Sequence, residues 1–167
     1  CTDLAAGSAA ANGHLEVVRD LLANGIEIGC YAASVAANNG ELEMVQLLRS
    51  HGIHCMSNAA DWAAQRGHLH VVRDLRAHGL HCTQAGANKA AINGHADVVG
   101  DLLAHGIWYN SHTADLAAMN GHLDVVQELR RYQIHCTPWG AKFAAKGGQV
   151  EVVRDLEAHG IFATQES

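Results

Sequence analysis

The chain has 167 residues, 49% apolar and 17% charged, and its 11 Lys and Arg against 17 Asp and Glu give a formal net charge of −6. That balance provides no chain-wide attraction for phosphate backbones or anionic lipid, and no apolar run nears the roughly 20 residues of a membrane-spanning helix. A single proline and the large apolar share point to a mostly helical fold.

The first residues already belong to a repeat. Cys1 sits inside the pattern with no basic-then-apolar leader before it, so any targeting peptide is expected to have been removed or never present. Gly13, Gly40, Gly67, Gly94, Gly121 and Gly148 follow one another at intervals of 27 residues, so the chain reads as six copies of one supersecondary unit in a single array. The copies run over about 3–29, 30–56, 57–83, 84–110, 111–137 and 138–164, and 163–167 reads as the opening of a seventh in a longer array. Below, slot 1 of each copy is the position of Cys1, and slot 13 is the glycine.

Within each copy the spacing predicts two helices. Slot 2 holds Thr2, Thr83, Asn110, Thr137 or Thr164, which are good N-cap residues, and Pro138 follows Thr137 at a first helical position. The first helix runs from slot 3 to slot 12, and the slot 13 glycine ends it in the left-handed region. The second helix carries an acid in its first turn (Glu16, Glu43, Asp97, Asp124, Glu151), at the positive end of its dipole. It closes on Gly25, Gly52, Gly79, Gly106 or Gly160 before Ile or Leu, as in a Schellman cap. The fifth copy has Gln133 there, which must enter the left-handed region or find another cap.

Superposing the copies exposes the core. Slots 6, 9 and 10 are Ala in all six, slot 17 is Val or Met, slot 18 is Val and slot 21 is Leu. Alanines three and four apart make one smooth helix face on which another backbone can lie closely, and the Val and Leu of the second helix fill the remaining gap.

Ala9–Leu22 and Ala117–Val126, with their Ala-Ala-x-Asn-Gly-His-Leu-acid-Val-Val pattern, resemble the ankyrin repeat. The resemblance spans the chain and is most specific over slots 9 to 26, with His-Gly-Ile where ankyrins carry a Gly-Ala-Asp-Val-type ending. The period is about six residues short, which leaves no room for the projecting β-hairpin, and the Thr-Pro-Leu-His opening is missing. The chain is thus similar to the short, hairpin-less ankyrin-like repeats of protists and giant viruses, some of them host-directed effectors. The resemblance implies an all-α, ankyrin-like α-solenoid of six stacked 27-residue helix-turn-helix repeats that recognises protein without catalysis.

The slots that stacking leaves free vary. Slots 4, 7, 8 and 11 lie at i, i+3, i+4 and i+7, on one face of the first helix away from the alanines. Successive copies should align these faces into one surface, by analogy with ankyrins the concave one. From the second copy the candidate partner-binding residues are Tyr31, Ser34, Val35 and Asn38, and from the third Asn58, Asp61, Trp62 and Gln65. The fourth gives Asn88, Lys89, Ile92 and Trp108, the fifth His112, Asp115, Leu116 and Met119, and the sixth Trp139, Lys142, Phe143 and Lys146. The strongest positions are Trp62 and the group Trp139, Lys142 and Phe143, and Cys30 and Trp108 extend the site. All aromatics are expected outside the core, with Trp108, Tyr109 and Phe162 in loops leading to this face. In the competing reading Val35, Trp62, Leu116 and Phe143 tuck between repeats as satellite core.

Catalytic and metal chemistry is not indicated. The His-Cys pairs His54-Cys55, His81-Cys82 and His135-Cys136 recur once per stacked unit, and a zinc site needs its ligands converging at about 2.0–2.3 Å. Neither metal nor other cofactor is expected. Cys1, Cys55, Cys82 and Cys136 share slot 1, and equivalent positions about 8–10 Å apart are too distant for a disulfide, which leaves Cys30 with Cys55 as the less excluded pair. Free thiols favour a reducing compartment such as cytoplasm, own or host. The slot 14 histidines (His14, His68, His95, His122) should satisfy backbone groups at the second helix start, and the slot 24 histidines (His51, His78, His105, His159) lie near its C-terminus. The expected partner is another protein, the chain being otherwise monomeric. A modular nucleic-acid reader is the alternative, disfavoured because Lys89, Lys142 and Lys146 are the variable face's only cations.

Overall fold

The computed structural model describes residues 2–163, with side chains from Ala5. The readings for Cys1, Thr2, Leu4, Thr164 and the rest of the opening seventh copy fall outside the described side chains. Twelve helices follow one another among the described residues, with no strand: α1 (Thr2–Ala11), α2 (Leu15–Ala23), α3 (Cys30–Asn38), α4 (Leu42–Ser50), α5 (Ala59–Gln65), α6 (Leu69–Ala77), α7 (Gln84–Ile92), α8 (Ala96–Ala104), α9 (Ser111–Met119), α10 (Leu123–Arg131), α11 (Pro138–Lys146) and α12 (Val150–Ala158). The helices form two compact units, Cys1–Thr83 with α1 to α6 and Gln84–Ser167 with α7 to α12. In the first unit α1 packs on α3 and α3 on α5, while α2, α4 and α6 form the second layer. In the second unit α7, α9 and α11 form one layer and α8, α10 and α12 the other.

Small side chains set the first layer. Ala33, Ala36, Ala37, Ala60, Ala63 and Ala64 are fully buried in the first unit, as are Ala87, Ala90, Ala91, Ala117 and Ala118 in the second. Slot 5 belongs to the same face, with Ala32, Ala59, Gly86, Thr113 and Gly140 all buried. Leu48, Leu75, Leu129 and Leu156 fill the gap beneath. Val17 of the first pair is 51% exposed, whereas its counterparts in the later pairs are buried.

Slot 1 is also a core position, and this corrects one expectation. Tyr109 is buried, at 4% exposure, in the slot that holds Ile28, Cys82 and Cys136 elsewhere. Its ring replaces a small apolar side chain between helix pairs instead of leading to the surface. The cysteines here act as small hydrophobes. Burial pushes the Cys55 thiol up to about 11 and that of Cys136 up to about 12. Both are therefore protonated and unreactive at neutral pH. Cys30, Cys55, Cys82 and Cys136 are free thiols.

The slot 13 glycine serves two purposes. Gly40 and Gly94 have φ of 81° and 87°, so each ends its helix in the left-handed region. A Cβ on either would lie 2.6 Å from Nδ1 of His68 or His122, the slot 14 side chain of the next pair. His14, His68, His95 and His122 make no side-chain capping bond, so the expected capping role is corrected. His68 and His122 instead roof the preceding glycine. The slot 24 histidines cap the other end: Nδ1 of His78, His105 and His159 donates to the carbonyl four residues back at 2.7 Å.

Between second helices runs a repeated polar clamp. Arg49 forks onto Asp74 at 2.6 and 3.0 Å and Gln46 adds a bond at 3.1 Å; Arg130 and Gln127 hold Asp155 by one bond each, at 2.5 and 3.2 Å, and Nη1 of Arg130 has no hydrogen-bond partner among the described residues. Burial alone would push Asp74 up, but the bonds from Arg49 and Gln46 and the Arg49 charge prevail and hold it below the usual carboxylate range. Because the folded value is depressed, this clamp stabilises the fold above the unfolded carboxylate value of about 3.9 and its contribution is lost as pH falls through the folded value. In urea unfolding, the stability gap between the native protein and Asp74→Asn should therefore narrow between pH 7 and pH 3; a gap independent of pH would contradict it.

Gln133 enters the left-handed region, with φ 64°, and keeps the Schellman pair: its N–H donates to Arg130 at 2.9 Å and that of Ile134 to Leu129 at 3.1 Å. A side chain in this conformation costs about 1–2 kcal/mol. Gln133→Gly should raise the unfolding free energy by about 1 kcal/mol, seen as a higher urea midpoint with the slope unchanged.

Candidate partner-binding face

In the first unit the variable slots lie on α3 and α5. Tyr31 is 64% exposed, and Val35, Asn38, Asn58, Asp61, Trp62 and Gln65 are half-buried. Gly7, Ser8 and Ala11 of α1 bring no bulk opposite Tyr31 and Val35, and an apolar cavity of about 380 Å³ opens between these helices.

In the second unit the exposed positions are Lys89, Trp108, His112, Trp139 and Lys146, with Asn88, Ile92, Leu116, Met119, Lys142 and Phe143 half-buried. The Trp139 and Phe143 rings lie 4.3 Å apart between centroids, tilted by 40°. His112 stands 6.1 Å from Trp139, and Lys146 places its Nζ 5.6 Å from the Phe143 centroid. Trp139 and Phe143 are four apart on α11, which puts them on one helix face. Thr137 caps that helix by accepting the Trp139 N–H at 3.2 Å. The slot 8 side chains Val35, Trp62, Leu116 and Phe143 are divided between the stack and the surface.

Slot 7 requires a correction. Ser34 and Asp115 are buried, at 0% and 4% exposure, and are not available to a partner. Both serve the start of the following copy, 22 residues on. The Ser34 hydroxyl accepts the Met56 N–H at 2.8 Å. Thr137 donates its N–H and its hydroxyl to the two Asp115 oxygens at 2.7 Å each. Asp61 receives the same pair from Thr83 at 2.6 Å each, so its carboxylate is engaged although half-buried. Where slot 7 is Gly7, slot 2 of the next copy is Gly29, and the tie is replaced by the cavity. The Asp-then-Thr pairing at this spacing was present in the sequence, but slot 7 looked variable because the acceptor changes with its donor. Gly140 is fixed by the same tie, since a Cβ there would meet the Asp115 carboxylate.

The near-constant slot 12 is explained too. Asn39 donates from Nδ2 to the Ala11 carbonyl at 2.7 Å, and Asn120 to that of Ile92 at 3.2 Å. These bonds hold neighbouring first-helix ends together, a structural role for the slot 12 Asn, which gives way to Arg66 and Gly147 in the third and sixth copies.

Among the described residues there is no group of three or more His, Cys, Asp or Glu placed to hold a metal ion, and no helix long and apolar enough to cross a membrane. Residues 7–86 match a protein family described as ankyrin repeats, three copies. No curated protein matches the chain.

Removing the slot 7 acceptor should loosen the start of the next first helix. Asp115→Ala leaves the Thr137 N–H without its acceptor, and the unfolding free energy should fall by about 1–3 kcal/mol. Hydrogen exchange should quicken at Thr137; unchanged protection there would rule the tie out as the stabilising contact.

Proposed function

We propose that the chain is a non-enzymatic binding module whose partner is a protein held on the variable face of the first helices, a reading supported by the match of residues 7–86 to ankyrin repeats. The supporting observation is the location of the rings. The stack is filled by Ala, Val and Leu, and Tyr31, Trp108 and Trp139 remain 64%, 66% and 42% exposed. Rigid, partly exposed aromatics are the commonest anchors of an interface, because they bury large area with few rotamers to fix. The contributing residues are Tyr31, Val35, Asn38, Asn58, Trp62 and Gln65 in the first unit, and Asn88, Lys89, Ile92, Trp108, His112, Leu116, Met119, Trp139, Lys142, Phe143 and Lys146 in the second. A role as an adaptor or a host-directed effector fits this reading.

Capture from native extract, run beside a variant with Tyr31, Trp108 and Trp139 changed to Ala and repeated after nuclease treatment, tests the face. All three rings are exposed, so helicity by circular dichroism should be unchanged. The captured protein should survive nuclease and bind the variant at least about 2 kcal/mol more weakly. Equal affinity for the variant would remove these helices from the interface, and nuclease-sensitive recovery would favour nucleic-acid reading.

A further inference from the structure

The acids of the second unit are concentrated in one layer, where Arg130, Arg131 and Arg154 offset only part of them. Lys89, Lys142 and Lys146 are the only lysines of the chain, and all three lie on α7 and α11. The one acid of the first-helix layer there is Asp115, buried and bonded to Thr137. Every other Asp and Glu among the described residues of this unit lies on α8, α10 or α12. A chain of net charge −6 thus has one layer that is cationic. That layer also carries the stacked Trp139 and Phe143, with Lys146 beside the Phe143 ring.

We infer that this face takes an acidic peptide segment of the partner, with an aromatic or aliphatic side chain among its carboxylates. The inference rests on the first-helix face being the interface, and adds what it selects. Exposed ion pairs are individually weak, so three lysines cannot hold a ligand alone. They steer an anionic segment toward the face and reject a basic one, while burial against Trp139 and Phe143 provides the grip. The negative second-helix layer sharpens the choice, since it repels acidic segments from elsewhere on the unit. A single-stranded nucleic acid shares part of this chemistry, but α7, α9 and α11 contain no Arg, and three lysines are sparse for a backbone carrying one charge per nucleotide.

Selection of a displayed random-peptide library on the full chain, on Lys89→Gln with Lys146→Gln, and on Trp139→Ala reads this directly. The native chain should enrich peptides rich in Asp and Glu with Trp, Phe or Leu. A selected peptide, measured by fluorescence anisotropy, should bind the double Lys variant at least tenfold more weakly and lose affinity as salt rises. Peptides that depend on Trp139 but show no acidic enrichment, or that bind the Lys variant equally, would overturn this inference and leave the interface standing. Failure to select any peptide dependent on Trp139 would overturn both for this unit. A labelled oligodeoxythymidine that binds more tightly than the best peptide would overturn the inference in favour of nucleic acid.

Discussion

Alanine at slots 6, 9 and 10 fixes how closely one first helix lies on the next, and the remaining demands follow from that approach. With no side chain to fill the gap, the backbones themselves come near contact, so Val and Leu of the second helices must complete the packing beneath. The helix ends are drawn together as well, which is why the slot 13 glycine lies under the next pair's slot 14 side chain and why slot 12 Asn reaches a carbonyl of the preceding pair. Larger residues in the alanine slots would part the helices and break both contacts at once.

The same approach explains the distribution of polar groups. First helices spaced by alanine leave their connecting segments with backbone donors close to the preceding helix, and Ser34, Asp61 and Asp115 accept them. Second helices lie farther apart, so long side chains bridge them, as in the Arg49 to Asp74 clamp. One layer therefore uses short acceptors and the other uses extended ion pairs. What remains unassigned by either layer is the outward face of the first helices, which holds the lysines and the exposed rings Tyr31 and Trp139.

Much of this was readable from the chain alone, because a repeated physical demand leaves a repeated residue. The helix pairs, both glycine caps and the alanine face all follow from comparing like slots, and the same comparison marks Gln133 as the exception whose left-handed conformation the structure decides. The contacts that were not legible join one copy to the next. A slot 14 histidine looks like a local cap, yet its ring meets a glycine 28 residues earlier. Slot 7 looks free because its acceptor changes together with a donor 22 residues later, so Ser34 and Asp115 read as surface from the sequence alone. Tyr109 is illegible for a related reason: only the volume available between pairs says that a ring can stand where cysteine usually does.

The slot 7 tie also determines where the array can be cut. Asp61 with Thr83 and Asp115 with Thr137 each fall inside a segment that runs from slot 3 of one copy to slot 2 of the next. A segment taken between those limits carries its acceptor and its donor together, so it can be duplicated, deleted or transplanted without orphaning either. A cut placed at the glycine turn, the more obvious seam in the sequence, would separate them. Such arrays can thus gain and lose whole copies while each copy keeps its slot 7 tie, which makes length itself an easily varied property of the chain.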